Sequence, residues 1–499
     1  MNIKNNYYPT FISRINFLKS LKNSRDMKGR KICIFGCGGM GKIIIYWIDY
    51  FFKNTNITVF DKEDNKLNFV RKYYPKVKAI YREIIKSNFK KSVEYLKKGD
   101  LIIDASYNID TKYVYKFCND NGILYINSAI ESWNYQAIKS PLHYTLFWRN
   151  QQLEKYANKN ENHTNFIVTM GCNPGNVSLW AKYGLYLLAN EKGIKFDENL
   201  TEKNIFPEIS KKLGVQVIHI SEHDSQLINN PRKKGEYVNT WSSDPDSFYQ
   251  EALGPIELSW GTHENKYPDS TLLKINNNND RVVLLKEMGI NNLMRSYTPK
   301  TGMFYGMTLR HEENLTLGKY LSISSGNKIT YQPSTYYVYK PTSACLEGVQ
   351  ETRENNLKWG KKKRFLTNEI TEGIDELGLS FFMKNGDVWW IGSLLDITEA
   401  RNLYPKWMHE YINATNTQVV GGYITGIFYI LDLWDKGEKK GLIFPEDIPL
   451  EYLKISLAFQ GNFVFEKAKW NNNKMPFEFG NKPKQKSWMF DDFRVKIPV

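Results

Sequence analysis

The segment from Lys31 to Asp61 leaves a chain like this few folds to choose from. Lys31-Ile-Cys-Ile-Phe35 is a short apolar run of branched and aromatic residues, the composition of a parallel strand buried on both faces. Gly36-Cys-Gly38-Gly-Met40-Gly41 follows, and Lys42–Phe52 then shows apolar residues at helical spacing. A second short strand, Ile57–Phe60, is closed by Asp61, twenty residues beyond the last glycine of the loop. A lone GxGxxG is weak evidence. Between a strand and a helix, with an acid at the end of the next strand, it predicts a dinucleotide site. Gly36 permits the tight turn, Gly38 lets the backbone approach a pyrophosphate, and Gly41 allows the helix to pack closely on the sheet. Unpaired N–H groups at the helix start face the phosphates. Asp61 accepts from both ribose hydroxyls and repels a 2′-phosphate, which favours NAD over NADP, although Lys62 beside it blunts the preference. The competing reading is a tight strand-to-helix turn with no nucleotide, in which Cys37 and Met40 are spacers.

The alternation continues. Helical sequence runs to about Tyr74, Leu101–Asp104 and Gly122–Ile126 read as strands, and Thr111–Asn119 reads as a helix. The fold class expected is α/β, an N-terminal Rossmann doubly wound parallel sheet followed by an α+β substrate domain. The expected boundaries are an N-terminal extension over 1–27, the Rossmann domain over 28–150, the α+β domain over 151–418 and a C-terminal segment and tail over 435–499. Val419–Trp434, apolar and rich in glycine, is the candidate for a late helix that returns to the Rossmann domain. The charged stretch 353–365 reads as a solvated loop or helix face, and the last twenty residues as an irregular tail.

At 499 residues the chain exceeds one ordinary core. Its longest apolar run, Gly421–Ile430, is far short of the roughly 18 residues of a membrane span, so no membrane partner is expected. Residues 1–30 lack the apolar core of a secretory signal. Five cysteines without CxxC or zinc spacing predict a reducing compartment, the cytoplasm, and no metal. The net charge of +15 is spread along the chain without a nucleic-acid-binding signature, so no nucleic-acid partner is expected.

Beyond the glycine loop, acids and aromatics crowd into turn-like segments. Glu131 follows a Rossmann strand at the end that faces the ligand crevice. Asn173 lies in Gly171-Cys-Asn-Pro-Gly175. Glu222 and Asp224 follow the strand Val215–Ile220. Trp241, Glu251, Glu257, His263 and Glu264 come next, and His311 lies in Leu309–Glu313. Carboxylates beside an indole suit a small polycation, through charge-assisted hydrogen bonds and cation–π attraction. Each residue also has an ordinary reading: Trp241 as core, the glutamates as solvated, Asn173-Pro-Gly as a turn and His311 as a surface histidine.

These segments together resemble the bacterial-type homospermidine synthases, relatives of the saccharopine dehydrogenase-like oxidoreductases. The resemblance rests on Gly36–Gly41, Asn127–Trp133, Gly171–Ser178, His219–Gln226, Tyr237–Ser242 and Leu258–Glu264. Met294–Pro299, Tyr305–His311 and Tyr331–Pro341 extend it. It covers the chain from about residue 28 to 450. It implies a redox-neutral transferase that uses NAD to join two putrescines, or spermidine and putrescine, into homospermidine through imines, and it implies a homodimer. The family's functional positions match Glu131, Asn173, Glu222, Trp241, Glu251 and His311. Trp241 would stabilise cationic intermediates, Glu222 and Glu251 would hold and deprotonate amines, and Asn173 and Glu131 would sit near the nicotinamide. The cofactor set implied is Gly36, Gly38, Gly39, Met40, Gly41, Asp61, Ser106 and Asn108. The Trp241–Glu251 spacing is two residues longer than the family pattern, so Asp244 or Asp246 are alternatives to Glu251. Two other readings stay open. A saccharopine- or carboxyspermidine-type dehydrogenase would need an arginine in the pocket, with Arg232, Arg295 and Arg310 available. The other is a non-catalytic nucleotide-binding Rossmann protein.

Overall fold

Seven parallel strands form the first sheet, in the order Gly441–Ile443, Asn165–Ile167, Leu124–Asn127, Leu101–Asp104, Lys31–Phe35, Asn56–Asp61, Lys78–Tyr81. The computed structural model describes residues 10–133, 142–197, 200–242, 245–358, 360–471 and 488–495. Strand order reverses at Lys31–Phe35, which pairs with Asn56–Asp61 on one side and Leu101–Asp104 on the other. The carboxyl end of that strand is the crevice where a doubly wound sheet takes its ligand. Its Ile32, Cys33, Ile34 and Phe35 are buried, as a parallel strand covered on both faces requires.

The sheet does not stop at residue 150. Asn165–Ile167 adds a strand, and Gly441–Ile443 returns from the C-terminal segment to add the last. Nor do residues 10–27 stand apart as an extension. Helix Phe11–Ser20 is capped by Thr10, Arg14 pairs with Glu399 and donates to the Gly461 carbonyl, and Met27 is completely buried.

The second sheet has ten strands. Its centre is Ser334–Lys340, parallel to Val215–Asp224, which lies antiparallel to Ile374–Met383. Val215–Asp224 runs four residues further than expected from sequence, so Glu222 and Asp224 are within the strand rather than after it. Side chains alternate along a strand. Ile218 and Ile220 therefore share a face with Glu222 and Asp224, and this face packs toward helix Asn176–Glu191 and the returning helix. Val217 and His219 point the other way. There the C-terminal residues Trp488, Phe490 and Phe493, all buried, cover the sheet. Residues 488–495 are thus a core element and not an irregular tail, because the sheet's second face is apolar and needs a cover.

The returning helix spans Ala414–Asp435, starting five residues before the expected position, with an Asn413–Asn416 capping box. Gly422 and Gly426 lie on one face at i, i+4 spacing. That face meets the Gly171 backbone and the side chains of Ile126 and Met170, so the helix seats directly on the Rossmann sheet. Tyr423 on the same helix donates to the Asp104 carbonyl. The charged stretch near 360 is also structured: Lys362–Phe365 pairs in parallel with Glu236–Asn239. Among the described residues no helix is long and apolar enough to cross a membrane, and none of the His, Cys, Asp and Glu groups there could hold a metal ion.

Candidate active site

A cleft of about 840 Å³ runs between the carboxyl edge of the Rossmann sheet and the second sheet. It is lined by Gly36, Gly38, Met40, Asp61, Ser106 and Asn108 at one end. Glu131, Asn173, Glu222, Trp241, Glu251 and His311 line the other. Gly39 and Gly41 lie just behind this lining, in the first turn of helix Gly39–Phe51. The geometry therefore brings together residues that lie up to 275 positions apart (Gly36 to His311).

The dinucleotide end is built from backbone. Gly36 has φ of 89°, and a Cβ there would stand 2.6 Å from the Ala105 carbonyl oxygen. A Cβ on Gly41 would be driven into the Gly36 carbonyl. The two glycines thus hold strand, turn and helix in one close-packed loop. The Cys37 N–H donates to Asp61 at 2.6 Å and the Glu63 N–H at 2.8 Å, which fixes the carboxylate at the cleft wall. Burial pushes the Cys37 thiol up to about 12, so it is an inert spacer there.

The other end is acidic. Glu222 accepts from Asn173 Nδ2 at 2.7 Å and from the Tyr337 hydroxyl at 2.6 Å. Burial raises it to about 7, against the pull of those two donors. Behind it lie Asp224 and Asp375, directly paired in the sheet register, with Thr415 donating to both. Burial raises both carboxyls, and the neighbouring Glu222 charge raises Asp375 further. The three acids titrate as a set.

Glu251 is on helix Pro245–Leu253 and keeps 26% of its side-chain surface open. Burial pushes it up to about 8, opposed by His311, whose Nε2 is 3.8 Å away. His311 is not a surface histidine. It is buried, its Nδ1 is 2.8 Å from Glu313, and its ring lies 4.7 Å from Tyr337. Burial alone would lower its pKa, but Glu313, then Glu251 and Glu312, raise it to about 10. It is therefore an imidazolium fixed among carboxylates. Asp244 lies outside the described residues, and Asp246 falls in the first turn of the Pro245–Leu253 helix.

Trp241 is partly buried, with its edge against Phe248 at 5.8 Å. The backbone N–H groups of Trp241 and Ser242 both donate to Asn239 Oδ1, which sets the start of the segment that carries the indole to the cleft. Glu131 is held by reciprocal backbone bonds with Thr111: its N–H donates to Thr111 Oγ1 and its carbonyl accepts from the Thr111 N–H.

The arginines separate the competing readings. Arg232 is outside the cleft, paired with Glu351. Arg295 does not line it. Arg310 does, but it is 3.6 Å from the buried Glu257 and donates to the Tyr144 carbonyl. Arg149 donates to the Ile130 and Tyr144 carbonyls. These guanidinium groups are engaged by the protein, and the groups presented around Trp241 are carboxylates.

Sequence reasoning did not single out Tyr337, Glu312, Glu313, Thr415 or Asp375. Tyr337, Glu312 and Glu313 stood within or beside recognised motifs. Asp375 had no local signal, because only antiparallel pairing of Ile374–Met383 puts it beside Asp224.

Comparison with known proteins agrees with this geometry. Residues 32–168 match the saccharopine dehydrogenase NADP binding domain. The homospermidine synthase of Mesorhizobium japonicum is 28% identical over 418 residues, which cover 81% of this chain and 84% of that protein. That of Blastochloris viridis is 27% identical over 448 residues, covering 87% and 90%. The crystal structure of the Legionella pneumophila homospermidine synthase in complex with NAD superposes with a TM-score of 0.83 at 27% identity, covering 94% of this chain and 98% of that one. Fold and cleft together define a Rossmann enzyme whose dinucleotide-binding part is similar to that of saccharopine dehydrogenase. Over most of its length the chain is similar to the bacterial homospermidine synthases.

Proposed function

We propose that this protein is an NAD-dependent homospermidine synthase. The observation that carries the reading is the convergence of a dinucleotide loop with Trp241, Glu222 and Glu251 on one cleft in which Arg149 and Arg310 are already engaged by the protein. Bound NAD would supply the acceptor for a hydride from C1 of putrescine and return that hydride to the final imine. The chain's own residues handle protons and charge. Glu222, steered by Asn173 and Tyr337, accepts a proton from a substrate ammonium. With an apparent pKa near 7 it is poised for that transfer at neutral pH. Glu251, balanced by the His311 imidazolium, holds the second amine. The indole of Trp241 faces the cationic iminium. Closure of the site by both domains keeps water from the imine. Two putrescines thus yield homospermidine and ammonia; with spermidine as donor the leaving amine is 1,3-diaminopropane.

Asp61 supports NAD over NADP, although the matching domain is described as NADP binding: a 2′-phosphate would meet a carboxylate clamped by two backbone N–H groups. The five thiols are buried and unpaired, which supports a reducing compartment such as the cytoplasm. The assembly proposed is a homodimer, checked by light scattering.

The deciding experiment incubates purified protein with putrescine and catalytic NAD. Homospermidine and ammonia should form in equal amounts, identified by mass and by an ammonia assay, without net NADH. Stoichiometric NADH with an aldehyde product would mean a simple amine dehydrogenase.

Trp241→Ala should slow turnover by up to about 30-fold, the equivalent of losing about 2 kcal/mol of cation–π stabilisation in the transition state. Trp241→Phe should retain more activity, and NAD affinity should be almost unchanged in both. If Trp241 were only core, the alanine variant would lose several degrees of melting temperature and little turnover per folded molecule.

A further inference from the structure

Strands Glu236–Asn239 and Lys362–Phe365 form a small parallel pair separate from both large sheets. Their last register partners are Asn239 and Phe365. From there the pair is tied in three directions. The Leu366 N–H donates to the Asn239 carbonyl, and the Leu366 carbonyl accepts from Asn413, the cap of the returning helix. Asn413 also donates to the Thr240 carbonyl. The Asn239 side chain accepts from the Trp241 and Ser242 N–H groups. The third tie is Phe365 itself. Its ring lies against Gly39, the first residue of the helix after the glycine loop, where a Cβ would come within 2.6 Å of the ring Cζ. Gly39 has no positive φ. The ring, rather than backbone conformation, is what leaves no room for a side chain. The run Lys361–Arg364 precedes Phe365 and stays largely at the surface, so the strand delivers one aromatic inward.

We propose that Phe365 is a positioning residue that clamps the cofactor loop and retains the dinucleotide between the two half-reactions, while Asn239 on the same strand pair sets Trp241. The proposal rests on the NAD-dependent reading above. Retention matters because the cycle conserves its hydride. If the reduced cofactor leaves after the first step, the substrate imine is hydrolysed instead of trapped. Doubly protonated putrescine, NAD⁺ and water then become protonated 4-aminobutanal, NADH, ammonium and a proton. Two electrons have passed to the cofactor and the C–N bond has broken.

The test uses the full chain with Phe365→Ala, Phe365→Leu, Gly39→Ala and the Gly39→Ala/Phe365→Ala double variant. NAD affinity is measured by titration calorimetry, and melting curves confirm folding. Phe365→Ala should weaken NAD about tenfold, chiefly through faster release, and Phe365→Leu should weaken it less. Gly39→Ala should also weaken NAD, because its methyl meets the ring. In the double variant the methyl occupies space the ring has vacated, so the double should bind no worse than Phe365→Ala alone, a non-additive result. With putrescine, Phe365→Ala and Phe365→Leu should both release NADH and 4-aminobutanal alongside homospermidine. NAD affinity within about twofold of wild type in Phe365→Ala, or additive losses in the double variant, overturns the clamp. The affinity cycle needs no substrate, so it decides the clamp even if the wild type made no homospermidine, a result that would sink the functional reading separately.

Discussion

Replacing Glu222 with glutamine should slow homospermidine formation by about 100-fold or more, the usual contribution of a positioned general base. The glutamine keeps the shape and can still bond Asn173 and Tyr337, so substrate and NAD binding should change far less than turnover. The pH profile separates this role from a structural one. Burial, working against the Tyr337 and Asn173 hydrogen bonds, places the carboxyl near 7 in the free protein. A base must be deprotonated, so kcat/KM should rise through about pH 7 and level off above it. Once a substrate ammonium occupies the cleft, the nearby positive charge favours the carboxylate, so the corresponding limb of kcat should lie at lower pH. Glu222→Gln should remove both limbs.

Stability should move in the opposite direction. The folded protein holds the Glu222 proton up to about pH 7, whereas the unfolded chain releases it near 4.5, the ordinary value of a glutamate. The unfolded state therefore binds fewer protons across that window, and stability falls as pH rises through it. Glu222→Gln should lessen that fall and leave the melting temperature at pH 8 equal or higher. A variant with wild-type turnover and an unchanged profile would remove Glu222 from the proton chemistry.

Gly41→Ala should abolish useful NAD binding. The added methyl would collide with the Gly36 carbonyl, and neither backbone can yield without shifting the strand, the turn or the helix. Gly36, with φ of 89° and Ala105 already close, has no space to move into. The N–H groups of the loop would then miss the pyrophosphate, and a displacement of about 1 Å is enough to cost 100-fold. Ligand-induced thermal stabilisation is the readout. At 100 times its dissociation constant, NAD should stabilise the wild type by about 2.7 kcal/mol, and the variant by no more than about 0.4 kcal/mol at that concentration. A wild-type shift in Gly41→Ala would mean that the close contact of loop and helix is dispensable.

The dinucleotide domain was legible in the sequence because its grammar is local. Lys31–Phe35 is apolar on both faces, the glycines fall where strand turns into helix, and Asp61 closes the following strand. The acids and the indole of the cleft were legible as motifs, since Glu222, Trp241 and His311 each carry recognisable neighbours. What the motifs do not carry is the environment of each group. On its own, His311 reads as a surface histidine; only the fold surrounds it with Glu313, Glu251 and Glu312 and keeps it charged. Asp375 becomes part of the acid set because strand Ile374–Met383 pairs with Val215–Asp224 in one register, and a one-residue slip would turn it to the opposite face. The end of the chain reads as an irregular tail until the apolar second face of the large sheet is seen to need Trp488, Phe490 and Phe493. Phe365 sits in a basic run and meets Gly39 only across the domain boundary. Periodicity and turn chemistry act over a few residues and so can be read along the chain. Register and domain contact depend on partners more than a hundred positions away, charge state depends on burial, and the assembled fold decides all three.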